Sequence, residues 1–126
     1  MLKVLFAAKP AAWAEYQAPL NKAFSDAGLG VDLSCDHSCE DVDYIVLAPN
    51  GPVSDFTPYV NAKAVLNLWA GVESIADNRT LTQPLARMVD DGLTRGMVEW
   101  VTGHVLRHHL GMDTHILGQD GQWRTD

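Results

Sequence analysis

Short apolar runs alternate with more polar stretches from the first residue to about residue 90. Five of these runs have the length and composition of strands buried in a parallel sheet: residues 2–8, 31–33, 44–48, 64–69 and 84–89. Between the first two runs, large apolar side chains recur at three- and four-residue steps, at Trp13, Tyr16, Leu20, Phe24 and Ala27. This stripe predicts a helix that starts near Pro10 and ends at Gly28. A second, short helix is predicted over residues 73–76.

Strands that alternate with helical or loop crossovers indicate an α/β fold with right-handed parallel connections. Five strands of this size predict a flavodoxin-like five-stranded parallel sheet of order 2-1-3-4-5. A long helix follows from about Thr94, a candidate N-cap, to His109 or Leu110, with Gly111 as its stop. We therefore expect a sheet domain at residues 1–93, the long helix at 94–112, and a tail with little periodicity at 113–126.

The long helix has an unusually wide apolar surface. Its polar positions Glu99, Gly103 and Arg107 make a narrow stripe, and apolar residues occupy most of the remaining circumference. These are Met97, Val98, Trp100, Val101, Val105 and Leu106. Because such a helix is normally buried on more than one side, we expect a partner chain or a part of the protein outside this sequence to cover it.

Composition excludes several classes of function. A formal charge of −7 argues against nucleic acid or an anionic membrane surface as a partner. No apolar run approaches the roughly 20 residues of a membrane-spanning helix. The first residues lack a charged segment before the apolar run, so they predict a strand rather than a signal peptide. We therefore expect a cytoplasmic protein. A local site can still bind a small anion against the overall charge.

Two groups of side chains could be offered as metal or redox sites. Cys35 and Cys39, with His37 between them, lack the two-residue gap of redox dithiols and zinc knuckles, which favours two free thiols in a polar loop. His104 and His108 lie one turn apart on the long helix, but two histidines are too few for a closed site. No metal site is predicted.

The end of the first strand lacks the residues of the enzymes that share this fold. Ala7 and Ala8 replace the carboxylates of a receiver domain, and residues 9–13 cannot surround a phosphate with successive N–H groups. No G-x-G-x-x-G motif or P-loop occurs, so nucleotide binding by this stretch is not expected.

The turn Trp69-Ala70-Gly71-Val72 is the strongest candidate for chemistry. A strand ends there, Gly71 permits backbone geometry barred to other residues, and a short helix begins. Successive N–H groups at such a turn can bind a carboxylate. The alternative is that Gly71 only makes a tight turn and Trp69 only packs, which is the more common situation.

A resemblance shifts this balance. The run Asn67-Leu68-Trp69-Ala70-Gly71-Val72-Glu73-Ser74-Ile75 resembles the "x-x-G-A-G-V-D-S-I" loop of the D-isomer-specific 2-hydroxyacid dehydrogenases. Residues 84–92 and Gly96-Met97-Val98-Glu99-Trp100 are similar to the glyoxylate/hydroxypyruvate reductase A branch, in which an "M-x-E-Y" pattern opens the long helix. The resemblance implies that residues 1–93 are a substrate-binding domain and that residues 94–112 belong to the hinge and nucleotide-binding domain.

The resemblance also implies residue roles. The N–H groups of Ala70, Gly71 and Val72 would bind the carboxylate of a small 2-oxo acid such as glyoxylate or hydroxypyruvate. Further candidates are Trp69 beside the acyl group, Pro49 in the loop after the third strand, Arg87 facing the cleft, and Met97 touching the cofactor. For Trp69 and Met97 the alternative is a role in packing only. For Arg87, a salt bridge to Asp90 or Asp91 is the favoured alternative.

No catalytic residue is expected in this chain, because the catalytic Arg, Glu and His of the family lie beyond residue 126. We expect a fragment that is inactive alone and binds no cofactor, whose full-length parent uses NAD(P)H. Its partners would be the missing nucleotide-binding domain and a second copy, which would form a homodimer through the helix at residues 97–106. The rival hypothesis is a stand-alone flavodoxin-like binding or dimerisation module without catalysis.

Overall fold

The computed structural model describes residues 1–123. Its regular elements are β1 Leu2–Ala7, α1 Pro10–Asp26, β2 Val31–Ser34, β3 Tyr44–Leu47, β4 Ala64–Asn67, α2 Glu73–Ala76, β5 Leu85–Ala86, α3 Asp91–His109 and α4 Met112–Leu117, with a 3-10 turn at Cys39–Asp41 before β3. The chain forms two compact units, Met1–Val89 and a second that begins at Asp90.

The first unit is built on one five-stranded sheet. Every neighbouring pair is parallel, and the order is β2-β1-β3-β4-β5. This confirms the fold class and strand order predicted from the sequence. Since the strands are parallel, their carboxyl ends lie at one edge, where ligands collect in sheets of this kind.

Apolar side chains cover both faces of the central strands. On one face, Phe56, Tyr59 and Ile75 pack against the buried residues of β1, β3 and β4. On the other face, Trp13 and Tyr16 of α1 contact Phe6, with ring centroids 5.3 and 5.9 Å apart. The predicted apolar stripe of α1 is therefore the surface that packs on the sheet through Trp13, Tyr16 and Leu20.

Several strands are shorter than predicted. The fifth was expected over residues 84–89, but β5 covers only Leu85–Ala86, and β4 stops at Asn67 rather than at Trp69. The physical reason is that the side-chain amide of Asn67 donates to the Trp69 carbonyl, which turns the chain out of the sheet. A single further contact, from Met88 N–H to the Trp69 carbonyl at 3.2 Å, follows beyond β5.

The predicted start of the long helix is wrong by one turn. Helix α3 begins at Asp91, because the Asp90 carboxylate accepts the N–H of Leu93 at 2.8 Å and caps the helix there. The predicted end is correct: α3 stops at His109, and Gly111 has a φ of +60°.

The tail contains a helix that the sequence did not predict. Residues Met112–Leu117 form α4, and an ion pair between Arg107 and Asp113 joins it to α3, with Arg107 Nε 2.6 Å from a carboxylate oxygen of Asp113. Every residue of α3 is exposed, including the apolar residues Met97, Trp100 and Val101. Within residues 1–123, no helix is both long enough and apolar enough to cross a membrane.

Candidate functional site

The loop between β4 and α2 is shaped by one buried side chain. Asn67 is 5% exposed, and its Nδ2 donates to the carbonyl of Trp69 at 2.8 Å and to that of Gly71 at 2.9 Å. In a trans peptide the carbonyl and the following N–H point in opposite directions, and the described chain has no cis peptide. The N–H groups of Ala70 and Val72 therefore point away from Asn67.

These N–H groups are free to bind a ligand. Across the part of the chain that the structure describes, the N–H groups of Ala70, Gly71 and Val72 donate to no protein acceptor. All three residues are half-buried, and they follow β4 at the carboxyl edge of the sheet. Unpaired N–H groups at this position can donate to the oxygens of a carboxylate.

The prediction that Gly71 adopts backbone geometry barred to other residues is wrong. The glycines with φ in the left-handed region, among residues 1–123, are Gly28, Gly111 and Gly121. Gly71 is not one of them, so other residues could adopt its backbone conformation. The two hydrogen bonds from Asn67, rather than an unusual φ, hold the loop in its conformation. Gly71 instead leaves room, since a Cβ there would lie 2.8 Å from Oε2 of Glu73.

Glu73 is a component of the site that the sequence did not reveal as important. It is the first residue of α2, and its exposed carboxylate lies over Gly71. A negative charge close to Gly71 weakens the attraction of the loop for a second carboxylate. The only signal in the sequence was its position directly after the Ala-Gly-Val run.

The other predicted site residues of the first unit differ in exposure and in their contacts. Trp69 is 44% exposed and lines a cavity of about 290 Å³ together with Lys9 and Asn50. Pro49 is half-buried in the turn after β3. Arg87 is exposed and forms no ion pair within residues 1–89.

Two predicted residues lie in the second unit. Met97 is exposed on α3, and its contact with a cofactor stays a prediction. Asp90, the alternative partner of Arg87, uses its carboxylate to cap α3.

A larger cavity, of about 660 Å³, opens at the carboxyl ends of β1, β2 and β3. It is lined by Phe6, Ala8, Lys9, Pro10, Trp13, Ser34, Cys35, Asp36, Asn50, Gly51 and Pro52. Sequence reasoning missed it because three loops from distant parts of the chain form it, and no local motif signals such an assembly.

The two cysteines lie in different surroundings. Cys35 is exposed at the larger cavity, whereas Cys39 packs against the core beside Tyr59. His37 Nε2 lies 2.9 Å from the Asp32 carbonyl oxygen. In residues 1–123 no group of three or more His, Cys, Asp or Glu side chains is placed to bind a metal ion.

Two turns of the first unit lack the features of a dinucleotide phosphate loop. Gly28 and Gly30 lie between α1 and β2, at the amino end of a strand, whereas a phosphate loop follows the carboxyl end. The turn from β1 into α1 contains Pro10, which has no N–H to donate. Neither turn can surround a pyrophosphate.

Comparison with known proteins finds structural rather than sequence relatives. No protein-family model matches the sequence, and no curated protein matches it. The structure is similar to a D-isomer specific 2-hydroxyacid dehydrogenase from Xanthobacter autotrophicus Py2, solved in complex with NADPH and MES. The TM-score is 0.73 and the identity 26%, over 99% of this chain and 41% of that one.

A probable 2-hydroxyacid dehydrogenase from Rhizobium etli CFN 42, in complex with NADP, HEPES and L(+)-tartaric acid, has the same fold. Its TM-score is 0.67 and its identity 24%, over 100% of this chain and 41% of that one. The chain thus spans 41% of the length of each of these dehydrogenases. The likeness supports the D-isomer-specific 2-hydroxyacid dehydrogenase family for this chain and does not distinguish a branch within it.

Proposed function

We propose that this chain is the substrate-binding portion of an NAD(P)H-dependent 2-oxo acid reductase of the glyoxylate/hydroxypyruvate type. The observation that carries the proposal is the set of three unpaired N–H groups at Ala70, Gly71 and Val72. A 2-oxo acid places its carboxylate on these donors, which fixes the position of the adjacent carbonyl carbon. The half-exposed Trp69 limits the space beside it and favours small substrates.

A nicotinamide cofactor supplies the hydride in this reaction. Because neither the β1–α1 turn nor the α1–β2 turn suits a pyrophosphate, we assign to this chain the binding and orientation of the substrate. The groups that polarise and protonate the carbonyl oxygen lie outside the chain, so the 126-residue chain alone is inactive. The likeness to NADPH- and NADP-bound dehydrogenases supports this division of roles.

The proposed partner of the loop is a nucleotide-binding domain, with α3 in the contact. Residues 97–106 of α3 then pack against that domain and against a second copy of the protein, and Met97 lies near the cofactor. The exposed apolar side chains of Trp100, Val101 and Val105 support this assignment, because a large open apolar patch marks an interaction surface.

The reading frame beyond Asp126 provides the test. We expect it to encode a G-x-G-x-x-G motif, and we expect the complete product to oxidise NADPH or NADH with glyoxylate or hydroxypyruvate. A complete product that reduces only bulkier 2-oxo acids would contradict the substrate assignment but not the reductase assignment. NAD(P)H-dependent reduction of glyoxylate by the 126-residue chain itself would contradict the claim that the chain is inactive alone.

The second candidate is a stand-alone binding or dimerisation module, which the open apolar surface of α3 also favours. A stop codon directly after Asp126 supports this alternative, as does a stable dimer that forms without any further domain. Sedimentation equilibrium of the 126-residue chain, compared with a Trp100→Glu variant, measures whether α3 drives that association.

A further inference from the structure

The larger cavity has the position of a ligand site. It opens where the carboxyl ends of β1, β2 and β3 meet. The strand order reverses there, because β2 pairs on one side of β1 and the chain then crosses to β3 on the other side. Crevices at such a switch point are the usual ligand sites of open α/β sheets. The volume of about 660 Å³ lies within the range of small-molecule pockets.

Packed groups preform the walls of this cavity. Phe6 is 2% exposed, and the ring of Trp13 packs against it. The loop after β3 lies directly on the end of β1, since a Cβ on Gly51 would be 2.3 Å from the Ala7 carbonyl oxygen. The N–H of Gly51 donates to the Ala48 carbonyl at 2.8 Å, which closes the turn. A ligand would therefore meet a rigid aromatic and apolar surface with little ordering cost.

The polar groups of the cavity define the charge of its ligand. The Lys9 ammonium forms no ion pair or side-chain hydrogen bond within residues 1–123. Ser34 Oγ accepts the N–H of Asp36 at 3.1 Å, which leaves its hydroxyl hydrogen free to donate. Partial desolvation of the exposed Cys35 thiol, with the nearby charge of Asp36, raises the pKa of this thiol, so it stays uncharged at neutral pH. Asp36 contributes one exposed carboxylate, which disfavours ligands with several negative charges.

We propose that this cavity is a second small-molecule site, which adjoins the cavity beside Trp69 through the shared residues Lys9 and Asn50, and that it binds an aromatic monocarboxylate. The ring of the ligand lies against Trp13 and Phe6, and its carboxylate accepts hydrogen bonds from Lys9 and Ser34. A phosphate ester fits less well, because Pro10 interrupts the backbone N–H groups at the turn after β1.

The test uses the 126-residue chain and 2-naphthoate as the probe, followed by ¹H–¹⁵N correlation spectra. We expect saturable shifts at Lys9, Cys35 and Gly51 with a Kd of about 1 mM, as for a ligand of about 13 non-hydrogen atoms. Lys9→Gln should weaken binding about fivefold or more, because a hydrogen bond to a charged group is lost. The matched control Lys22→Gln removes an exposed lysine of α1 that is paired with Asp26 and does not line the cavity, and it should leave the Kd unchanged.

Two further measurements test whether the negative charge of the ligand contributes to binding and where the ligand binds. The neutral analogue 2-naphthalenemethanol should bind about fivefold more weakly than 2-naphthoate. Bound 2-naphthoate should slow alkylation of Cys35 and leave the rate at Cys39, which packs against the core, unchanged. The proposal is overturned by non-saturable shifts, by shifts confined to residues 69–72, or by equal protection of both thiols. Equal affinity of the neutral analogue, or of the Lys9→Gln variant, overturns the assignment of a carboxylate.

Discussion

Replacing Asn67 by leucine tests whether one buried amide holds the anion-binding loop. The side chain is of similar size, so the change removes the two hydrogen bonds to the Trp69 and Gly71 carbonyls with little change in volume. The loop then loses the constraint that directs the N–H groups of Ala70 and Val72 outward.

The magnitude follows from what each atom of Asn67 contacts. The Trp69 carbonyl keeps the Met88 N–H as a partner, so losing the amide costs about 1 kcal/mol there. The Gly71 carbonyl keeps no partner within residues 1–123, which costs about 2 kcal/mol. Asn67 Oδ1 is buried without a partner in the described chain, and removing it returns about 1 kcal/mol. The net expectation is a loss of about 2 kcal/mol in the free energy of unfolding.

Urea unfolding followed by circular dichroism measures this loss. For a unit of this size, about 2 kcal/mol also corresponds to a decrease in Tm of about 8–16 °C. The matched control is Asn61→Leu, which removes one exposed hydrogen bond to the Glu40 carbonyl and should change stability by less than about 0.5 kcal/mol. If the Asn67 and Asn61 variants unfold at the same urea concentration, the amide does not hold the loop and the reasoning fails.

Three further changes test other parts of the account. Glu73→Gln should raise the affinity of the loop for a carboxylate about two- to fivefold at low salt, measured by NMR titration. No gain in affinity would contradict the repulsion inferred from the position of the Glu73 carboxylate. Gly51→Ala should destabilise the fold by about 1–3 kcal/mol in urea unfolding. The control Gly30→Ala, with open space around its Cβ, should be nearly neutral. Equal unfolding midpoints would refute the close approach of Gly51 to the Ala7 carbonyl. Burial, with a hydrogen bond to Cys39, raises the pKa of Tyr59 from its ordinary value of 10.0 to about 12. Its protonated form therefore stabilises the fold below pH 10, and this contribution is lost as the pH rises toward 12. The Tm of Tyr59→Phe should fall less steeply across that window, and parallel Tm–pH curves would disprove the shift.

The sheet and the position of the loop could be predicted because their signals are local. Apolar runs separated by turn residues determine the strands, and the alternation with helices determines a parallel order. The helix start could not be placed, because Asp90 and Thr94 are both good N-caps, and only the capped N–H of Leu93 distinguishes them. Helix α4 was missed because an ion pair with Arg107 supports a six-residue segment that has little periodicity of its own.

The position of the Trp69–Val72 loop in the fold was predicted, but the group that shapes the loop was not. The sequence indicated Gly71 because glycine often adopts a left-handed turn conformation. In the structure, the amide of Asn67 shapes this loop instead. A single polar residue in an apolar strand was the available signal for Asn67. The larger cavity had no such signal, since its walls come from three loops that only the folded sheet brings together.

The most direct test of the central claim is an NMR titration of the 126-residue chain with hydroxypyruvate. We predict saturable shifts of the Ala70, Gly71 and Val72 amide signals, with a Kd of about 10 mM for so small a ligand. Hydroxyacetone, which lacks the carboxylate, should leave these signals unchanged. Equal shifts with both compounds, or no change at these three residues with hydroxypyruvate up to about 100 mM, would contradict the account.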